Sequence, residues 1–197
     1  AQNFDCRVTA VTVSDEQFAY VSQRIEALGL TGRVIPLHTD YRRVTGRFDR
    51  ITSVEFIDVI EPSLLPAFFE RCEQWLKPGG IMVHQLLISP EFRAGDESRE
   101  AWNRKHIALG MQTPSLRQLL GAMGESSEFC LRNLKDTGLS YSRTLHVWTE
   151  NFVRNLEAVR RLGFDETFLR SWRYYLAYAE AAFEQGLMTS VQITLSR

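Results

Sequence analysis

The chain has 197 residues, 44% of them hydrophobic, which suits one globular domain with a core of ordinary size. Its 23 basic and 24 acidic residues leave a net charge of −1, so no global field draws it toward nucleic acid or an anionic surface. Cys6, Cys72 and Cys130 are scattered, odd in number and without metal-ligand spacing, which argues for reduced thiols in a cytosolic protein. No apolar run approaches the ~18 residues of a membrane span, and no secretory signal pattern is present. The chain opens at AQNFD without an initiator Met, so Ala1 is expected to be a cut point.

CRVTAVTV, residues 6–13, is β-branched and reads as a buried strand. Ser14 and Gln17 have capping-box spacing for the helix that follows, with Phe18, Val21, Ile25 and Leu28 on one face and Gly29 ending it. RVIPLHTD predicts a second strand, at an edge because of Pro36. FDRITSVEFID predicts a third, and a helix spans 63–76. KPGG then turns the chain into the strand IMVHQLLI. Residues 89–113 read as a polar loop with some helix, and Pro114 as the first residue of the next helix. EFCLRNLKD is a strand, helical patterns cover about 142–162 and 165–185, and TSVQITLS closes the chain with period-2 alternation. Alternating strands and helices predict an α/β fold, a doubly wound parallel sheet with the last strand antiparallel. The helical pair inserted before that strand, 142–185, reads as a substrate lid over the strand carboxyl ends.

Ligands of open parallel sheets bind beyond the carboxyl ends of the strands. That rule selects Thr12 to Gln17, Asp40 and Tyr41, Glu55 and Asp58, and Gln85 and Leu87. An acid beside an aromatic, as in Asp40-Tyr41, suits an adenine: the carboxylate accepts from the exocyclic amine and the ring stacks on the base. A turn is the bland reading of the same pair. No GxGxxG occurs, and no strand precedes Cys6.

CRVTAVTVSDEQFAYVSQRIEALGL resembles the segment of cyclopropane-fatty-acyl-phospholipid synthases that follows their glycine-rich cofactor loop. The resemblance continues through DYRRVTGRFDRITSVEFIDVI, LKPGGIMVHQLLI, TPSLRQL, YSRTLHVWTENF and LGFDETFLRSWRYYLAYAEAAFEQG to VQITLSR, and so covers essentially all of 1–197 as a single domain. It implies a class I methyltransferase (Rossmann-like) sheet lacking its first strand. It also implies methyl transfer from S-adenosylmethionine to the double bond of an unsaturated acyl chain, followed by proton loss to close a three-membered ring. By motif position Thr12, Gln17, Asp40 and Tyr41 bind the cofactor. The family also holds bicarbonate as its base, and its ligand positions fall on Asp58, Gln85 and Tyr141, with the Leu87 backbone. His84 sits one residue early on the strand and is expected to face the helices as a core residue.

A cationic intermediate favours π faces and excludes water. Trp148, Trp172 and Tyr175 are therefore expected to bind substrate, with Tyr141, Phe152, Tyr174, Tyr178 and Phe183 as further aromatic candidates, most of them core. The implied partners are a phospholipid acyl chain and a membrane surface contacted peripherally from the cytoplasm, with a homodimer left open and neither nucleic acid nor metal. Two departures stand out: Asp58 where the family has glutamate, and the absence of the glycine loop and its strand. The chain by itself is accordingly expected to be inactive and poorly soluble. Competing readings are a relative that methylates an amine or a methyl-branched lipid, and a non-catalytic fragment.

Overall fold

The computed structural model describes residues 1–89 and 113–197, so most of the expected polar loop lies outside the described residues. By internal contact the chain divides into two units, Ala1–Gly46 and Arg47–Arg197.

In the first unit β1 (Val8–Thr12) runs parallel to β2 (Val34–His38), with Val8 opposite Val34 and Thr12 opposite His38. Four of the five β1 residues are Val or Thr, whose branched side chains favour extended backbone. The crossover helix α1 (Asp15–Ala27) starts at the predicted cap: Ser14 Oγ accepts from the Gln17 amide at 3.2 Å. The reciprocal half of the capping box is absent, because Gln17 Oε1 accepts instead from Thr12 Oγ1. Among the described residues β2 pairs only with β1, as Pro36 requires of an edge.

The second unit is built on a four-stranded sheet in the order β3-β4-β6-β5. Here β3 is Phe48–Val54, β4 Leu76–Ile88, β5 Cys130–Asp136 and β6 Thr189–Ser196. β3 and β4 are parallel, and β6 is antiparallel to both β4 and β5. The closing strand is therefore interior, with exposed β5 at the edge.

Helix α2 (Leu65–Trp75) follows a 3-10 turn at Pro62–Leu64, and Leu76 already pairs with Phe48 before KPGG. The turn expected to precede the strand is instead an irregularity inside it, where Gly79 takes φ 73 and pairing resumes at Arg50 and Ile81. Helix α3 (Leu116–Ser126) begins two residues later than its proline suggested. Ser115 caps it with a complete capping box, since Gln118 Oε1 also accepts from the Ser115 amide at 2.9 Å. The inserted helices are α4 (Gly138–Arg154), the short α5 (Leu156–Arg161) and α6 (Glu166–Glu184), capped by Asp165.

On β4 Met82, His84 and Leu86 are fully buried, and His84 meets Phe68 of α2 edge-on. Leu87 points the other way, into a cluster with Leu145, Leu176, Ala179 and Phe183 from α4 and α6. Each buried leucine there contributes roughly 1.5–3 kcal/mol. This cluster seats α4 and α6 at the carboxyl end of β4.

Candidate active site

The four residues assigned to a cofactor lie at or beyond the carboxyl end of the β1–β2 pair, Thr12 as the last residue of β1. Thr12 Oγ1 donates to Gln17 Oε1 at 2.7 Å and accepts from the Ser14 amide at 3.1 Å. Asp40 caps the 3-10 turn Tyr41–Arg43. Its Oδ1 accepts from both the amide and Nε of Arg42, and its Oδ2 from Nη2. The Arg42 guanidinium beside it holds its carboxyl down at about 2. Arg42 also lies 6.0 Å from the centre of the Tyr41 ring.

In the second unit a cleft of about 350 Å³ opens at the carboxyl ends of β3 and β4. Glu55, Gln85, Tyr141, Trp148 and Gln192 line it, with Thr137, Ser140 and Thr144. The α4 contributors recur at 140, 141, 144 and 148, one face of a helix. Tyr141 stacks on Phe183 with ring centres 4.5 Å apart, and its hydroxyl donates to Glu55 Oε1 at 2.9 Å. Burial, and next the Glu55 carboxylate, push the Tyr141 hydroxyl well above the usual phenol range. Gln85 Oε1 accepts from Gln192 Nε2 at 3.0 Å.

Glu55 is the one non-glycine residue with positive φ among those described, at 51°. Such a backbone costs on the order of 1–3 kcal/mol and persists only where its surroundings impose it. Here they do: the Glu55 amide donates to the Gln85 carbonyl at 2.8 Å, and its side chain holds Tyr141.

Asp58 is only 1% exposed and does not line the cleft. Its Oδ1 accepts from the Leu87 amide at 2.8 Å, while Oδ2 has no hydrogen-bond partner. Burial raises its carboxyl to about 7, and the charge on Glu55 adds to the rise. Gln85 and Tyr141 thus share the cleft, whereas Asp58 braces the backbone at the end of β4. Of the aromatics, Trp148 lines the cleft. Trp172 and Tyr175 instead pack against the cluster around Leu87, with ring centres 5.3 Å apart. His84 Nδ1 is 2.6 Å from Ser53 Oγ, its Nε2 has no partner, and burial lowers it to about 4. It is a neutral core residue.

Five cleft residues, Glu55, Thr137, Ser140, Thr144 and Gln192, carry no assignment from the sequence. Glu55 was marked only by its place after β3, and its left-handed backbone has no signature in a glutamate. Gln192 had a signal: it is the amide between Val191 and Ile193 on an alternating strand. Among the described residues no group of three His, Cys, Asp or Glu is placed to hold a metal, and no helix is long and apolar enough to cross a membrane.

The family model for mycolic acid cyclopropane synthetase matches residues 1–193. Tuberculostearic acid methyltransferase UfaA1 of Mycobacterium tuberculosis is 34% identical over 191 residues, which are 96% of this chain and 45% of the relative. Cyclopropane-fatty-acyl-phospholipid synthase of Escherichia coli is 30% identical over all of this chain and 49% of its own length. The chain spans about half the length of these curated relatives. The structure of mycolic acid cyclopropane synthase CmaA1 complexed with SAH and CTAB superposes with a TM-score of 0.90 at 18% identity, covering all of this chain and 72% of that one. The fold is that of the class I S-adenosylmethionine-dependent methyltransferases. With the family model covering residues 1–193, the first unit and nearly all of the second, the chain belongs to the mycolic acid cyclopropane synthetase family.

Proposed function

We propose that the protein containing this chain transfers a methyl group from S-adenosylmethionine to the double bond of an unsaturated phospholipid acyl chain and closes a cyclopropane ring. The observation that carries the reading is the cleft at the carboxyl ends of β3 and β4, where an aromatic wall and a carboxylate meet on a methyltransferase scaffold.

The first unit fits the nucleoside end of the cofactor. Asp40 keeps a lone pair on Oδ2 after its bonds to Arg42, enough to accept from an adenine amine. Thr12 and Gln17 offer polar groups past the end of β1, and Tyr41 offers a ring face. When bound, S-adenosylmethionine supplies an electrophilic methyl group on a sulfonium. The chain's own residues serve the cation that follows. Trp148, which lines the cleft, is the indole available to stabilise it. Trp172 and Tyr175 stiffen the apolar wall behind the cleft. The helices 142–185 act as the lid that keeps water from the cation, and the protein meets lipid peripherally.

Bicarbonate fits less well. The Tyr141 hydroxyl donates its hydrogen bond to Glu55 and the Leu87 amide donates to Asp58, which leaves the Gln85 amide nitrogen as the donor of that set facing the cleft. An added anion would also face the Glu55 carboxylate.

A second reading is favoured by the relative that is a tuberculostearic acid methyltransferase. In it the cation loses a proton from a neighbouring carbon and leaves a methyl branch on a double bond. Nuclear magnetic resonance of the lipid product separates the two. Ring-methylene protons upfield of all other signals support the proposal. A methyl doublet or a vinylic methyl without them supports the second reading, and methylation of an added amine in place of lipid refutes both.

A further inference from the structure

We infer that the Glu55 carboxylate is the proton acceptor of the ring-closing step and takes the place of a bound bicarbonate. The inference rests on the lipid-methylating function proposed above.

Three observations meet at this side chain. Glu55 lines the cleft together with Gln85, Trp148 and Gln192. Its backbone is held at φ 51 by the bond from its amide to the Gln85 carbonyl, a conformation that fixes where the carboxylate emerges. Its Oε1 accepts the Tyr141 hydroxyl, and Tyr141 is itself clamped on Phe183. A carboxylate carried on a strained backbone and aimed by a phenol is a resident version of a carbonate-type base. Two of the groups that would otherwise hold such an anion are engaged within the protein: the Tyr141 hydroxyl by Glu55 and the Leu87 amide by Asp58. Asp58 is a buried acid that braces the turn from behind.

The chemistry balances with no further reactant. Methyl transfer leaves a cationic carbon beside the carbon bearing the new methyl group. A C–H bond of that methyl breaks, and its electron pair forms the C–C bond that closes the three-membered ring on the cationic carbon. The proton passes to Glu55 Oε2, turning the carboxylate into a carboxylic acid, and leaves to water after product release. Tyr141 keeps Oε1 in place throughout and is a positioning residue for Glu55.

The test uses the protein at its full genomic length, vesicles of monounsaturated phosphatidylglycerol, and labelled S-adenosylmethionine. Assays run in buffer stripped of carbon dioxide and in buffer with added bicarbonate. The expected wild-type rate is the same in both. Glu55→Gln is expected to slow ring formation about 10²–10⁴-fold while S-adenosylmethionine binding by calorimetry is unchanged. Glu55→Gly suits the positive φ and opens a carboxylate-sized gap, so added formate or bicarbonate is expected to restore ring formation to that variant alone. A wild-type rate that collapses without bicarbonate, or a Glu55→Gln enzyme of wild-type rate, overturns the role of Glu55 and leaves the lipid-methylating function standing. A wild type that methylates no lipid in either buffer overturns both.

Discussion

The hydroxyl of Tyr141 reaches Glu55 across 86 residues of sequence and donates to its carboxylate at 2.9 Å. This bond ties the first turns of α4 to the end of β3, and the stack of Tyr141 on Phe183 fixes the ring from the α6 side. The polar centre of the cleft is therefore built by the same contacts that seat the inserted helices.

Tyr141→Phe keeps the ring stack and deletes only the hydroxyl. Hydrogen bonds to charged groups contribute about 1.5–3 kcal/mol, so turnover is expected to fall roughly 10- to 100-fold. S-adenosylmethionine affinity should stay within about twofold by calorimetry. Equal losses in affinity and rate would mean that the substitution disturbs the fold and not the carboxylate.

Asp58 gives a pH signature. Its folded carboxyl sits at about 7, above its ordinary 3.8, so the fold favours the protonated form. Stability from this group is present at low pH and is lost as pH rises from about 4 through 7. Asp58→Asn retains an acceptor for the Leu87 amide and removes the buried charge. It should stabilise the protein at pH 8 by about 1–3 kcal/mol and by much less at pH 5. Urea melts at the two pH values check this, and an equal effect at both would contradict it.

Asp40→Ala should weaken S-adenosylmethionine binding by about 1–3 kcal/mol, the cost of an unpaired polar partner. Because Arg42 holds the Asp40 carboxyl at about 2, its contribution should not vary between pH 5 and 8. Unchanged affinity in a titration of the variant would remove Asp40 from the site.

The pattern of hydrophobic residues and caps made most elements legible. Ser14 marks the start of α1, and alternation on β4 put His84 and Gln85 on opposite faces, as the burial of His84 against Phe68 bears out. The start of α3 was displaced because a reciprocal Ser115–Gln118 cap outweighs a proline at the first turn. The cleft was only half legible. Gln85 follows from the strand-end rule, Tyr141 from the family resemblance and Trp148 from the aromatic content of the inserted helices, but a positive φ at Glu55 is imposed by the Gln85 carbonyl and leaves no trace in sequence. Nor does composition tell that Asp58 turns to the Leu87 amide, or that Trp172 and Tyr175 pack against the cluster around Leu87.

The most direct test of the account follows the methyl group. The protein at its full genomic length is incubated with methyl-labelled S-adenosylmethionine and unsaturated phospholipid vesicles, and the fatty acids are released and weighed by mass spectrometry. The account predicts one labelled CH₂ added for each double bond consumed, with the ring intact in the product. Label that stays out of the acyl chains, while S-adenosylmethionine binds normally, would contradict it.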